Sequence, residues 1–488
     1  MKKARRIDMD TKKLRQKILD LAIRGRLVPQ DPNDEPASVL LERIRAEKER
    51  LIKEGKIKRS KKSASDTPHY ENVPFEVPEG WEWTTLGELC SFLSRGKSPK
   101  YSEERKYPVF AQKCNLYDGD ISLEKARFLD PETISKWSDE YKLIDGDILV
   151  NSTGTGTVGR TRLFHSDVLG DYPFVVPDSH VSVIRSFEEI ESKFVWAFLS
   201  SDYGQTYIED NLAGSTNQKE LYIGVLDNMQ FPLPPHEEQF RIVTTVDKWF
   251  TLIDTLESAK EDLQTSIAQA KSKILDLAIH GKLVPQDPSD EPAIELLKRI
   301  NPKFTPCDNA HYENVPFEVP KNWLWLSHNA ILDISGGSQP AKSHFISKEE
   351  EGYIRLYQIR DYGETPVPVY IPRELASKTT QKGDILLARY GGSLGKVFIA
   401  EEGAYNVAMA KVIFKYNGLI NKEYAYFYYL SSLYQDKLKS ISRTAQAGFN
   451  STDFEDMFFP LPPIAEQERI VTIINQYYRI LDNISAEL

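Results

Sequence analysis

Cysteine is scarce in this chain of 488 residues: Cys90, Cys114 and Cys307 are the only three, and none shows CxxC spacing. That excludes a disulfide framework and a zinc ribbon and points to a reducing compartment. Long apolar runs are missing as well, and the opening MKKARRIDMDTKK has no apolar stretch behind its charges. Neither a membrane span nor a secretory leader is expected, so the protein reads as cytoplasmic with no membrane partner. Positive charge is in deficit, with 62 Lys+Arg against 72 Asp+Glu and a net charge of -10. Bulk charge therefore gives no support to nucleic-acid binding, and any such contact must come from local patches. Residues 1–62 hold 20 Lys+Arg against 10 Asp+Glu, residues 84–230 hold 15 against 23, and residues 326–458 hold 15 against 15.

Catalytic signatures are also absent. There is no Asp/Asn-Pro-Pro-aromatic motif of a methyltransferase, no P-loop and no HExxH, and the eight histidines form no ligand cluster. Gly154 to Gly159 spells GTGTVG after an apolar strand, formally a GxGxxG. A dinucleotide site also needs a helix opening at those glycines, whereas RTRLFHSDVLGDYP follows and is broken by Gly170 and Pro173. The counterpart YGGSLGK (Tyr390 to Lys396) is one residue shorter and loses the motif. A tight turn between strands is expected, with amides and hydroxyls available to a phosphate or a base edge. No catalytic, cofactor or metal site is expected in this chain.

What the chain does have, it has twice. ILDLAIRGRLVPQDPNDEP from Ile18 returns as ILDLAIHGKLVPQDPSDEP from Ile274, His69 to Trp83 returns as His311 to Trp325, and FPLPP from Phe231 returns from Phe459. The offset shrinks from 256 to 242 to 228 along the chain, so the copies differ by insertions. Between the copied blocks, Thr84 to Gln230 and Leu326 to Phe458 share only a faint pattern. A hydrophobic content of 40% with 11% aromatics is ample for packed cores in more than one domain.

Between Pro235 and Gly281 the sequence has neither Pro nor Gly, and Glu237 and Glu238 sit where a helix N-terminus favours acids. One helix of about 45 residues, roughly 68 Å long, is expected. Its apolar positions Ile242, Val246, Trp249, Ile253, Leu256, Leu263, Ile267, Ala270, Ile274 and Leu277 step by 4 and 3, a heptad seam that needs a partner. The second copy begins alike after Pro463, with Ile470, Ile474, Tyr477, Leu481, Ile484 and Leu488, while Ile7, Thr11, Leu14, Ile18 and Leu21 match Leu263, Ile267, Ala270, Ile274 and Leu277 of the central helix. The two chain ends together rebuild the central helix, which places residues 1 and 488 near each other. A short helix is expected near Asp34 and near Asp290, and the basic run RAEKERLIKEGKIKRSKKSA reads as a solvated linker.

The fold class is therefore mixed α+β. Two α/β domains with mostly β cores are separated by long antiparallel coiled-coil helices in a pseudo-symmetric, circularly permuted duplication. Residues 1–68 form an N-terminal helix and basic linker, 69–235 the first inserted domain, 236–310 the central helix and linker, 311–463 the second domain, and 464–488 the C-terminal helix.

PEGWEWTTLGEL, GDILVNSTGTGTVG, FPLPPHEEQFRIV and KILDLAIHGKLVPQ, with GDILLARYGGSLG and FPLPPIAEQERIV in the second half, resemble the specificity subunit of type I restriction-modification enzymes. The resemblance spans nearly the whole chain. It implies two target-recognition domains that bind a split double-stranded DNA sequence, and a subunit that is not itself an enzyme. It further implies two DNA methyltransferase subunits carrying S-adenosylmethionine and motor-nuclease restriction subunits using ATP and magnesium, all as partners. Base readout needs bidentate Arg, Lys, Asn or Gln, and phosphate anchoring needs cations or small hydroxyls. The candidates are Lys97, Gln112, Lys113, Asn115, Thr153, Thr155, Arg160, Asn217 and Lys219 in the first insert. In the second they are Gln358, Arg360, Arg389, Tyr390, Ser393, Lys396, Arg443 and Gln446. Two other classes stay open at this point: a coiled-coil adapter that binds only proteins, and a stand-alone DNA-modifying enzyme.

Overall fold

A computed structural model describes residues 10–57, 73–117, 119–154, 156–214, 219–304, 315–389, 391–442 and 448–487. The chain divides into two compact units between Ala259 and Lys260, inside one long helix. The expected placements of Ile7, His69, Cys307, His311 and Leu488, and with them the proximity of residues 1 and 488, lie outside the described residues.

The first unit opens with α1 (Thr11–Ile23) and α2 (Ala37–Lys53). Strands β1 (Glu82–Thr85), β2 (Cys90–Arg95), β3 (Tyr101–Ser102), β4 (Pro108–Phe110), β5 (Arg127–Leu129), β6 (Ile148–Asn151), β7 (Thr161–Leu163), β8 (Val176–Pro177) and β9 (Val181–Ser186) follow. Then come α3 (Ser192–Ser200), α4 (Asp202–Asp210), α5 (Ile223–Asp227), β10 (Gln230–Leu233) and α6 (His236–Ile279). One four-stranded sheet has the order β2-β9-β6-β7 and a second the order β3-β5-β4-β8, in which β4 and β8 run parallel. Strand β1 pairs antiparallel with β10, so entry to and exit from the domain are laced together. The main core joins Ile18, Ala22, Leu40 and Ile44 of the first helices to Phe194 and Phe198 of α3, Phe231 of β10, and Ile242, Val246 and Ile253 of α6.

The second unit repeats the plan. After α7 (Ala293–Ile300) come β11 (Leu324–Ser327), α8 (His328–Ile331), β12 (Leu332–Gly336), β13 (Tyr353–Tyr357), β14 (Tyr370–Pro372), β15 (Thr379–Thr380), β16 (Ile385–Ala388), β17 (Val397–Ile399), β18 (Gly403–Tyr405) and β19 (Met409–Phe414). Helices α9 (Lys422–Leu430) and α10 (Ser432–Ser442), strand β20 (Phe458–Leu461) and α11 (Ile464–Glu487) complete it. The sheets run β12-β19-β16-β17 and β14-β13-β18-β15, again with one parallel pair, β13 and β18. Gly96 and Gly337, at the ends of β2 and β12, mark the same close approach: a Cβ at Gly96 would lie 2.2 Å from the Pro177 and Asp178 carbonyl oxygens, and one at Gly337 2.0 Å from that of Asn406.

The long helix, the mixed fold and the turn at Gly154 to Gly159 appear as expected, the turn linking the antiparallel pair β6 and β7 with Gly154, Gly156 and Gly159 at positive φ. Three expectations change. The short helices start at Ala37 and Ala293, with Pro36 and Pro292 at their N-caps, because Asp34 and Asp290 are occupied by ion pairs to Arg241 and Arg469. The basic run is helical as far as Lys53 rather than a solvated linker throughout, and Lys48 and Arg45 in it reach Gly87 and Glu88.

The third change concerns the seam. In the first unit α1 lies antiparallel to α6, with Arg15 bonded to Asp254 and Glu257 while Gln30, beyond its end, reaches Glu238. In the second unit α11 lies antiparallel to the later part of α6, where Tyr478 Oη donates to the Lys271 carbonyl at 3.1 Å and Asp482 pairs with Lys271. Of the expected seam, Ile242, Val246, Ile253 and Ile267 are buried, with half-buried Phe250 beside them, whereas Trp249, Leu256 and Leu263 are exposed, as are Tyr477 and Ile484. Helices carry 3.6 residues per turn, so a run of apolar side chains at both 3 and 4 spacing leaves two columns to choose from. The partner helix takes one of them.

Candidate nucleic-acid interface

The backbone of the two domains defines equivalent positions without any help from side chains. In the first, Asn151 N donates to Arg160 O (3.0 Å), Ser152 N to His180 O (2.8 Å), Asp178 N to Phe110 O (2.9 Å) and Gly96 N to Val181 O (3.0 Å). In the second, Ala388 N donates to Lys396 O (2.9 Å), Arg389 N to Ala408 O (2.9 Å), Asn406 N to Tyr357 O (3.1 Å) and Gly337 N to Met409 O (2.9 Å). This frame lays Arg160 on Lys396, Ser152 on Arg389 and His180 on Ala408. It also lays Lys113, three residues beyond Phe110 in a short 3-10 turn, on Arg360, three residues beyond Tyr357 in another.

Around the first frame, Gln112 Nε2 donates to Thr153 Oγ1, which lies 2.7 Å from His180 Nδ1. His180 N in turn donates to a carboxylate oxygen of Asp178 at 2.9 Å. Arg160 is held by its Nη1, which donates to the Asn115 carbonyl at 2.7 Å, and its guanidinium lies 5.6 Å from the ring of Tyr117. Tyr117 is 87% exposed, an unusual position for a large aromatic, in a turn that Gly119 closes with a φ of 109°. Gln112, Thr153, His180, Arg160 and Tyr117 thus form one connected polar and aromatic edge, with Lys113 exposed beside it.

Other candidates are engaged by the fold. Asn115 is 1% exposed, and its Nδ2 donates to Asn151 Oδ1 at 3.2 Å and to Arg160 O at 3.1 Å, so it braces the edge from behind instead of reading. Lys97 donates to Lys136 O at 2.8 Å and sits 4.0 Å above the Tyr141 ring. Lys219 is exposed beside Glu220, whose carboxylate pairs with Arg95. In the second domain Gln358 caps its own 3-10 turn in a reciprocal box with Asp361, and Arg389 Nε donates to Phe449 O at 3.0 Å. Arg360 and Lys396 are exposed, and Ser393 is half-buried in the turn Gly391–Ser393. Thr155, Asn217, Tyr390, Arg443 and Gln446 lie outside the described residues.

Sequence reasoning missed His180 and Tyr117. His180 opens an alternating apolar run and carries no motif, so nothing local marks it. Tyr117 does carry a signal, since an aromatic within the turn sequence NLYDGD has no strand or helix face on which to be buried.

No group of three or more His, Cys, Asp or Glu side chains able to hold a metal occurs among the described residues. Cys90 and Cys114 are buried free thiols, and burial pushes that of Cys90 up to about 12, so neither has nucleophile character. No described helix is long and apolar enough to cross a membrane.

The family model described as "Type I restriction modification DNA specificity domain" matches residues 78–265 and 320–488, once in each half. The specificity subunit of the Escherichia coli type I restriction enzyme EcoEI is 28% identical over 98% of this chain and 90% of its own length. That of EcoAI, also from Escherichia coli, is 28% identical over 95% and 88%. A chain from a structural study of complex assembly and conformational transition of the type I R-M system aligns with a TM-score of 0.56 at 19% identity, over 85% of this chain and 96% of its own. With a duplicated domain frame and the family model matching both halves, the chain belongs to the type I restriction-modification DNA specificity family.

Proposed function

We propose that this chain is the DNA-recognition subunit of a type I restriction-modification complex, each inserted domain reading one half of a split double-stranded target. The observation that carries the reading is the coincidence of cations on one backbone frame: Lys113 with Arg360, and Arg160 with Lys396. Two domains whose sequences have drifted apart retain positive charge at the same two places, where phosphate anchoring requires it. In the first domain the edge of Gln112, Thr153, His180, Arg160 and Tyr117 offers donors, acceptors and a ring for base readout.

The chain itself performs no chemistry in this reading. Its partners are two methyltransferase subunits, which bring S-adenosylmethionine, and restriction subunits, which bring ATP and magnesium, in the cytoplasm. A protein face for the first of these recurs in both copies. Trp249, Leu252 and Leu256 form an exposed apolar stripe along α6, and Tyr477, Ile480 and Ile484 repeat it along α11 at the offset of 228. The same stripe twice fits the same partner twice, hence two methyltransferase subunits. The stripe alone would equally suit a protein adapter; the paired cations favour DNA.

The test is an exchange of residues 84–230 for the corresponding insert of a relative, with methylation mapped in cells expressing the complex. One half of the target should change and the other stay. A change in both halves, or an assembled complex that methylates without sequence preference, would overturn the proposal.

A further inference from the structure

The most closely repeated side-chain chemistry in the molecule is not at the proposed DNA edge but at the start of each long helix. Glu238, in the first turn of α6, is 1% exposed. Its carboxylate accepts from Trp81 Nε1 at 2.9 Å and from Gln30 Nε2 at 2.8 Å. Glu466, in the first turn of α11, is 0% exposed and accepts from Trp323 Nε1 at 2.9 Å and Gln286 Nε2 at 2.5 Å.

The neighbouring glutamines are equally committed. Gln239 Oε1 accepts from Glu191 N at 3.0 Å, at the N-cap of α3, and its Nε2 donates to Pro234 O at 3.1 Å. Gln467 Oε1 accepts from Asn421 N at 2.7 Å, at the N-cap of α9, and its Nε2 donates to Pro462 O at 2.9 Å. Two residues further on, Arg241 and Arg469 each fork onto an aspartate, Asp34 and Asp290. Gly25 and Gly281 sit against Pro78 and Pro320 with no room for a Cβ, each 2.4 Å from where it would stand.

Each joint therefore ties three segments to the start of the long helix: the loop after the preceding helix, the tryptophan just before the entry strand, and the N-cap of the domain's own helix. A buried carboxylate held by two neutral donors is a costly way to gain stability, because apolar packing of the same volume does as well or better. Burial raises the pKa of both carboxyls, in keeping with that cost. What directional bonds supply, and apolar contacts do not, is a fixed angle.

We propose that Glu238 and Glu466, with Trp81, Gln30, Trp323 and Gln286, are positioning residues that fix the orientation of each reading domain on its helix and thereby hold the target to a single spacer length. The proposal rests on the DNA-reading role proposed above. It assigns a function to the PLPPxxEQ, LVPQDP and tryptophan motifs, which the reading edge leaves without one.

The experiment uses the full chain in complex with its methyltransferase, on a library of duplexes that carry both half-sites with the spacer varied by one and two base pairs. The unsubstituted complex should methylate one spacer. Glu238→Ala should raise methylation of spacers one base pair off to within about tenfold of the preferred one, with the half-site bases unchanged, and Glu466→Ala should do the same. Glu238→Gln, which keeps an acceptor for Trp81, should restore the narrow preference. If Glu238→Ala fails to assemble, Trp81→Phe, which leaves the carboxylate in place and removes one donor, should broaden the spacer in its stead. Methylation that falls in equal proportion at all spacers, or an unchanged spacer in an assembled variant, would overturn the positioning role. Absence of split-site methylation by the unsubstituted complex would instead overturn the DNA-reading proposal.

Discussion

Glu238 and Glu466 accept the same two bonds in the two units, whereas Leu86 and His328, which hold the same place in the two domains, have nothing chemical in common. Both lie at the end of the entry strand: Leu86 N donates to Met229 O at 2.9 Å and His328 N to Met457 O at 2.7 Å. Both are fully buried, yet one is an aliphatic core residue and the other hydrogen-bonds Tyr429 Oη at 2.7 Å through Nε2. The difference teaches where a duplicated protein is free to change. A buried side chain that bonds to two other segments cannot be replaced alone without leaving buried polar groups unpaired. A position held by its backbone accepts any side chain that its own core can pack, and a solvent-facing loop held by its backbone accepts almost any. The joints therefore stay alike while cores and edges diverge.

Three substitution sets sharpen this comparison. The largest effect is expected from Phe231→Ala and Phe459→Ala, which remove equivalent, fully buried rings from β10 and β20. Each should cost about 3–5 kcal/mol, read by denaturant unfolding with hydrogen exchange assigned to each unit. A large loss in one unit and a negligible loss in the other would break the equivalence of the two frames.

The next effect belongs to the second unit alone. Burial, opposed by the hydrogen bond to Asn329 and the charge of Asp333, lowers the His328 pKa from 6.5 to about 4. The folded state disfavours the imidazolium, so the contribution is fully present above pH 6.5 and is lost as pH falls toward 4, by about 3 kcal/mol at the acid end. Hydrogen exchange in α9 should rise over that window while exchange in α3 responds less. The double variant His328→Leu with Tyr429→Phe, which makes the site resemble that of Leu86, should flatten the response; a variant as acid-sensitive as the parent would show that the imidazole is not its source.

The smallest effect tests the edges. Lys113→Ala, Arg160→Ala, Arg360→Ala and Lys396→Ala should each weaken DNA binding by the complex and lower the slope of log affinity against log salt by about 0.9 for each phosphate contact removed. Lys97→Ala should leave the slope unchanged, because that ammonium is engaged by Lys136 and Tyr141. A slope that responds to Lys97 but not to the four frame cations would move the interface elsewhere.

How much of the candidate site was legible in the sequence depended on the residue. Lys113, Arg160, Arg360 and Lys396 were found by residue type, as cations in loops suited to base or phosphate contact. Their equivalence was not, since the two inserts align through backbone hydrogen bonds between strands far apart in sequence. Asn115 resembles Gln112 in every local respect, and only its packing against Asn151 and Arg160 shows that it points inward. His180 joins the edge through a single bond to Thr153, a contact across 27 residues that no motif announces.

The sequence by itself determined the duplication, the length of α6 and the absence of known catalytic motifs, because these rest on repetition, on helix-breaking residues and on short local patterns. The tertiary structure alone decided which apolar column of α6 is buried and which stays open at Trp249, Leu252 and Leu256. The reason is geometric: apolar side chains at both 3 and 4 spacing cover more of that helix than one partner can bury, and the choice is made by the shape of the elements packed against it. It alone also revealed that the glutamates of the two repeated EQ pairs, which sequence reading takes as acids favouring a helix start, are buried acceptors holding each domain to its helix.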